Sequence, residues 1–160
     1  AREIGEGGGS VTVHQFDVSG PPSAQLREAA AALDTTHLYY LATPPIFVGS
    51  RKFSYELFQN FCSYYVKGLV DTVAWSRGKG GLRVFSPSTV AVSSPVASLA
   101  EYSAAKAAAE ITCQHLSLSD PTLTFDFERL PRLPTDQTAT VFPAESEDPA
   151  ALLLLIMRRG

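Results

Sequence analysis

The 160-residue chain is poor in the residues that build metal centres and disulfide frameworks. It has two cysteines, one methionine, one tryptophan and three histidines. Cys62 and Cys113 stand too far apart for a metal-binding pair and both fall in helical patterns, so reduced, buried thiols in a cytoplasmic protein are expected. His14, His37 and His115 are scattered without ligand spacing, which points to structural roles and to no bound metal. Basic excess is missing as well. Thirteen Lys and Arg face sixteen Asp and Glu, for a net charge of −3, so no footprint for nucleic acid is present. The longest apolar run, Ala150 to Met157, falls well short of the ~20 residues that cross a bilayer. It starts at Asp148-Pro149 and ends in Arg158-Arg159, as a core-facing helix would. The N-terminus is charged and glycine-rich, unlike a secretory signal. With 45% apolar and 18% charged residues, the composition suits one soluble domain with a real core.

What is present alternates strand-like and helix-like stretches. Gly5-Glu-Gly-Gly-Gly9 precedes a predicted strand, Val11 to Phe16. A dinucleotide loop needs its glycines between a strand and a helix, so this run reads as a lead-in turn. Asp17-Val18 ends the strand, Ser19-Gly-Pro-Pro22 turns, and Ser23 caps a helix over 24–33. Thr36 to Thr43 is rich in β-formers and is closed by Pro44-Pro45. A helix from about Ser54 to Trp75 shows Phe58, Phe61, Tyr65, Leu69 and Val73 at core-face spacing. Arg83 to Val92 reads as a buried strand opening into a hydroxyl-rich loop, Ser86-Pro-Ser-Thr89. An alanine-rich helix through Leu116, a loop over 117–121 and an alternating strand, Thr122 to Phe127, follow. The proline-rich stretch 128–138 is irregular.

The chemistry concentrates in Tyr102-Ser-Ala-Ala-Lys106. Spacing of i,i+4 puts phenol and ammonium on one helix face. A neighbouring ammonium favours phenolate and lowers the tyrosine pKa, which suits a general acid for a carbonyl oxygen. By itself this pattern is common on surface helices, where a lysine stem covers a half-buried ring. The strand and Ser/Thr loop immediately upstream set it apart.

Strand, hydroxyl loop and helix with Tyr-x-x-x-Lys resemble the short-chain dehydrogenase/reductase superfamily. The resemblance implies Tyr102 as proton donor, Lys106 as its electrostatic partner and nicotinamide-ribose ligand, and Ser88 as the hydroxyl that holds the carbonyl, with Thr89 its rival. It also implies cofactor contacts at Asp17 and Val18, at Ala42 and Thr43, and at Thr135 and Thr138. The family's helical asparagine falls on Tyr65; Asn60 lies too far upstream and Lys67 on another face. Tyr65 is expected to be a core aromatic.

The implied fold is α/β: an incomplete Rossmann-like, doubly wound sheet, mostly parallel, with helices on both faces. One domain or a segment of one, residues 1–160, would match family strands three to six plus a C-terminal helix. The first strand, the glycine fingerprint and the second strand have no counterpart before Val11. The chain is expected to be a segment completed elsewhere, a degenerate domain, or a rearranged sheet with Val11–Phe16 beside Leu38–Leu41. By resemblance the function is an NADP- or NAD-dependent oxidoreductase, with cofactor binding by this chain alone weak or absent. The substrate would be a small ketone, carried on a carrier protein if the similarity of 37–43 and 102–107 to synthase ketoreductases holds. The alternatives are a non-enzymatic module and a nucleotide-sugar epimerase/dehydratase. Partners would be the missing N-terminal half or another chain, with no nucleic acid and no membrane.

Overall fold

The structure, a computed structural model, describes residues 8–130. The apolar run 150–157, Thr135 and Thr138 lie outside the described residues. Three strands form a parallel sheet in the order β1 (His37–Tyr39), β2 (Leu82–Phe85), β4 (Leu123–Asp126). The register sets Leu38 beside Val84 and Val84 beside Phe125. Leu82, Val84 and Phe85 are all buried, as a central parallel strand covered on both faces requires. Between β2 and β4 the chain adds β3 (Ser88–Thr89), which pairs in parallel with β5 (Arg129–Leu130).

Helix α1 (Ala24–Ala32) begins at Ser23, whose hydroxyl accepts the Leu26 N–H at 3.1 Å, so the expected cap is in place. The long expected helix is continuous but not uniform. It runs as α2 (Tyr55–Cys62), a π-helical segment (Ser63–Gly68) and α3 (Leu69–Ser76). Phe61, Tyr65, Leu69 and Val73 are buried along it, the face that the apolar spacing marks. In the π-helical segment, the Tyr64 carbonyl accepts the Tyr40 hydroxyl at 2.6 Å. A Cβ on Gly68 would lie 2.7 Å from that hydroxyl, so only glycine lets β1 and this helix approach so closely. Helix α4 (Ala100–Ser119) packs Ala105 and Ala109 on Phe61 and Tyr65; small residues bring the two helices near. A second core joins Tyr40, Leu69, Val73, Val84, Cys113 and Leu123 beneath the sheet. Each of these large side chains contributes roughly 1.5–3 kcal/mol by burial.

The predicted strand at Val11–Phe16 does not form: this stretch has no regular structure. A strand needs a ladder partner, and among the described residues β1 pairs with β2 alone. Val11 and Val13 are exposed, while Phe16 packs edge-on against Trp75 at 5.5 Å. Its ring anchors the segment to α3 in place of a sheet edge. The rearranged sheet that would pair this segment with Leu38–Leu41 falls with it. Among the described residues no helix is long and apolar enough to cross a membrane.

Candidate active site

Tyr102 sits in the first turn of α4, its ring wedged edge-on between Phe61 at 5.8 Å and Tyr65 at 5.7 Å. Thr89 is the polar neighbour whose side chain acts on its hydroxyl. Thr89 ends β3 in extended conformation, buried, with its own Oγ1 accepting the Ala91 N–H at 3.2 Å. Ser88, one residue earlier, donates to Glu110 Oε1 at 2.5 Å instead. The hydroxyl-rich loop therefore divides: Thr89 meets the phenol, and Ser88 is held by a carboxylate.

Lys106 lies one turn beyond Tyr102. Its Nζ donates to the Pro87 carbonyl at 2.7 Å and stands 4.0 Å over the ring of Tyr65. Burial lowers its pKa to about 8, and the Glu110 charge opposes the fall. The electrostatic effect expected on Tyr102 is not what this arrangement produces. Burial pushes the Tyr102 hydroxyl above its ordinary value, and the bond to Thr89 only moderates the rise. Desolvation disfavours phenolate, and the ammonium is engaged by Pro87 and the Tyr65 ring.

Two further charges complete the site, and the sequence reading passed over both. Glu110, two turns beyond Tyr102, is buried and accepts Arg129 Nε at 3.0 Å and a terminal guanidinium nitrogen at 2.6 Å. Arg129 comes first among the causes that hold its carboxyl below the ordinary range; Ser88 and Lys106 add to it, and burial opposes. The signal for Glu110 was its i+8 spacing from Tyr102. Arg129 carried no signal, because it stands in a stretch that reads as irregular.

Thr43 ends the chain segment after β1. Its Oγ1 lies 3.2 Å from the Pro44 carbonyl and shares a hydrogen bond with the Tyr65 hydroxyl at 2.5 Å. Burial raises the Tyr65 pKa well above the usual phenol range. Ala42 and Val18 pack on the core beneath the sheet, while Asp17 closes an exposed turn by accepting the Ser19 N–H at 2.9 Å. Asn60 is exposed, and Lys67 pairs with Asp71 at 2.6 Å on the surface; neither enters the site.

A nicotinamide cofactor fits one end of this arrangement. Lys106 spends one N–H on Pro87 and turns toward a ring face, which leaves it a donor for a ribose hydroxyl. For the pyrophosphate, the described residues offer no glycine-rich strand-to-helix turn.

A three-stranded parallel sheet with its reactive groups clustered where β2 runs through β3 toward α4 is half of a doubly wound α/β fold. Solved structures give the particular version, a short-chain dehydrogenase/reductase-like fold. An alcohol dehydrogenase from Thermococcus sibiricus, complexed with 5-hydroxy-NADP, superposes with a TM-score of 0.74 at 17% identity, over 98% of this chain and 72% of that one. A 3-oxoacyl (acyl-carrier-protein) reductase from Agrobacterium tumefaciens with NADP bound gives 0.71 at 19%, over 85% and 56%. A short-chain dehydrogenase from Burkholderia cenocepacia in complex with NADP gives 0.68 at 16%, over 91% and 64%. The chain thus spans between about half and three-quarters of these relatives' lengths. No protein-family model and no curated protein sequence matches it.

Proposed function

We propose that this chain supplies the proton-donating side of a nicotinamide-dependent oxidoreductase site, and that the reaction is reduction of a ketone. The supporting observation is the meeting of the Tyr102 and Thr89 hydroxyls, with the Lys106 ammonium one helical turn away. The NADP complexes among the structural relatives support the choice of cofactor.

The carbonyl oxygen is received between the Thr89 and Tyr102 hydroxyls, both donating. A nicotinamide cofactor, when bound, would supply the hydride that the carbonyl carbon needs. As the C=O double bond becomes a single bond, Tyr102 releases its proton to the oxygen and an alcohol results. The raised Tyr102 pKa does not prevent this, because a developing alkoxide is far more basic than a phenolate and the proton moves downhill. Thr89 holds the oxygen, and Lys106 offers its charge to the phenolate left behind. Ser88 is the alternative carbonyl ligand, at the cost of its bond to Glu110. The 3-oxoacyl reductase among the relatives makes a 3-oxoacyl group on a carrier protein the first substrate to try. A cytoplasmic setting belongs to the same proposal.

A non-enzymatic module is favoured by one specific observation: Tyr65 fills the position where a family relay would hold an asparagine, and it is buried. The test is NADPH consumption by the intact gene product with a panel of ketones and 3-oxoacyl thioesters, alongside calorimetric titration of NADPH. Turnover that requires a ketone supports the enzyme. Absence of both binding and turnover establishes the module.

A further inference from the structure

We propose that Tyr65 is the positioning residue for Lys106: the face of its ring holds the ammonium inside the site. Its catalytic consequence rests on the oxidoreductase reading above, but the contact itself does not.

Four features fix the ring. It belongs to the π-helical segment Ser63–Gly68, where helical register shifts to i→i+5. It stacks on Phe61 with centroids 6.0 Å apart and planes 11° from parallel. It meets Tyr102 edge-on at 5.7 Å. Its hydroxyl shares a hydrogen bond with Thr43 at 2.5 Å, which holds the ring in place. At 4.0 Å from the centroid, Lys106 Nζ lies within the range of a cation–π contact, and the site is desolvated enough for that contact to matter.

The remaining groups around Lys106 leave the ring a distinct task. Among the described residues, Glu110, on the same helix, is the carboxylate that acts on it. That carboxylate is already shared between Arg129 of β5 and Ser88 of β3. Tyr102, on α4, is a phenol whose charged form burial disfavours. From the loop between β2 and β3 comes only the Pro87 carbonyl. Without the ring, one carbonyl and a shared carboxylate would have to keep a buried ammonium charged against desolvation.

The test is titration of the Lys106 side chain, followed by its 13Cε resonance in the labelled full chain and assigned with Lys106→Arg. Tyr65→Phe keeps the ring and is expected to keep the midpoint. Tyr65→Leu removes the ring and is expected to lower the midpoint by a unit or more, a tenfold loss of charged form. If Tyr65→Leu does not fold, fluorinated phenylalanines at position 65 decide, since they weaken the ring's attraction while preserving its shape. A midpoint falling stepwise with fluorine number, at constant melting temperature, supports the assignment. An unchanged midpoint in folded Tyr65→Leu or across the fluorinated series overturns it and leaves Tyr65 a packing residue. Neither result depends on turnover, so failure of the oxidoreductase reading would show separately.

Discussion

The mouth around Tyr102 and the segment that carries Asp17 and Val18 were both expected to serve the cofactor, yet they are built differently. The mouth is tied together across elements: Ser88 and Arg129 bond Glu110, Lys106 bonds Pro87, and Thr89 acts on the Tyr102 hydroxyl. Asp17 bonds Ser19 through its carboxylate and Gly20 through its carbonyl, both within its own turn. The segment before it, which alternates like a strand, lies unpaired on the flank of α3. Position at the mouth is fixed by several long-range contacts at once. Position in the N-terminal segment depends on Phe16, Val18 and one turn.

That contrast is open to attack, and the mouth should yield most. Glu110→Ala would strip Ser88 and Arg129 of their shared acceptor and cost about 2–3 kcal/mol, a figure reduced because Arg129 is partly exposed. Urea unfolding at neutral pH measures it. The Glu110 carboxyl is depressed in the folded state, so its contribution is present above the ordinary carboxylate range. It is lost as pH falls through the folded value, and the gap between wild type and variant should close in acid.

Lys106 gives the next effect, of opposite sense. Its folded pKa of about 8 lies below the ordinary 10.5, so between those values the unfolded chain binds the extra proton. Stability should therefore rise by roughly 1–3 kcal/mol as pH increases through that window. Lys106→Met should flatten the rise; an equal slope in the variant would place its origin elsewhere. Gly68→Ala tests the approach of β1 to the π-helical segment. Overpacking against the Tyr40 hydroxyl should cost about 1–3 kcal/mol, read as a lower denaturant midpoint, and a neutral result would mean the helix can yield there. Smallest of all, Asp17→Asn should leave the melting temperature where it is. A loss of several degrees would show that the N-terminal segment is held as firmly as the mouth.

The sequence made legible whatever rests on local pattern. Leu82–Phe85 and Leu123–Asp126 announce themselves by β-formers, Ala100–Ser119 by its alanines, and Tyr102 with Lys106 by their spacing. It misled where partners decide. Val11–Phe16 has the alternation of a strand but no neighbour to complete a ladder. In the π-helical turn the Tyr64 carbonyl accepts a hydroxyl from Tyr40, over twenty residues upstream, a contact that no window of the helix reveals. Ser88 and Thr89 differ by one place in the chain. Which of them meets the phenol depends on Glu110 capturing the other, and Glu110 acquires that role only when Arg129 arrives from beyond β4. The expected lowering of the Tyr102 pKa failed for a related reason: spacing puts an ammonium nearby, but only the fold shows how dry the phenol is.

The central claim is that Tyr102 donates a proton rather than merely filling space. Its most direct test is Tyr102→Phe in the intact gene product, with ketone reduction, NADPH affinity and melting temperature measured together. The account predicts a turnover loss of about 10²–10⁴-fold, with cofactor affinity and melting temperature nearly unchanged. Turnover equal to wild type in that variant would contradict it.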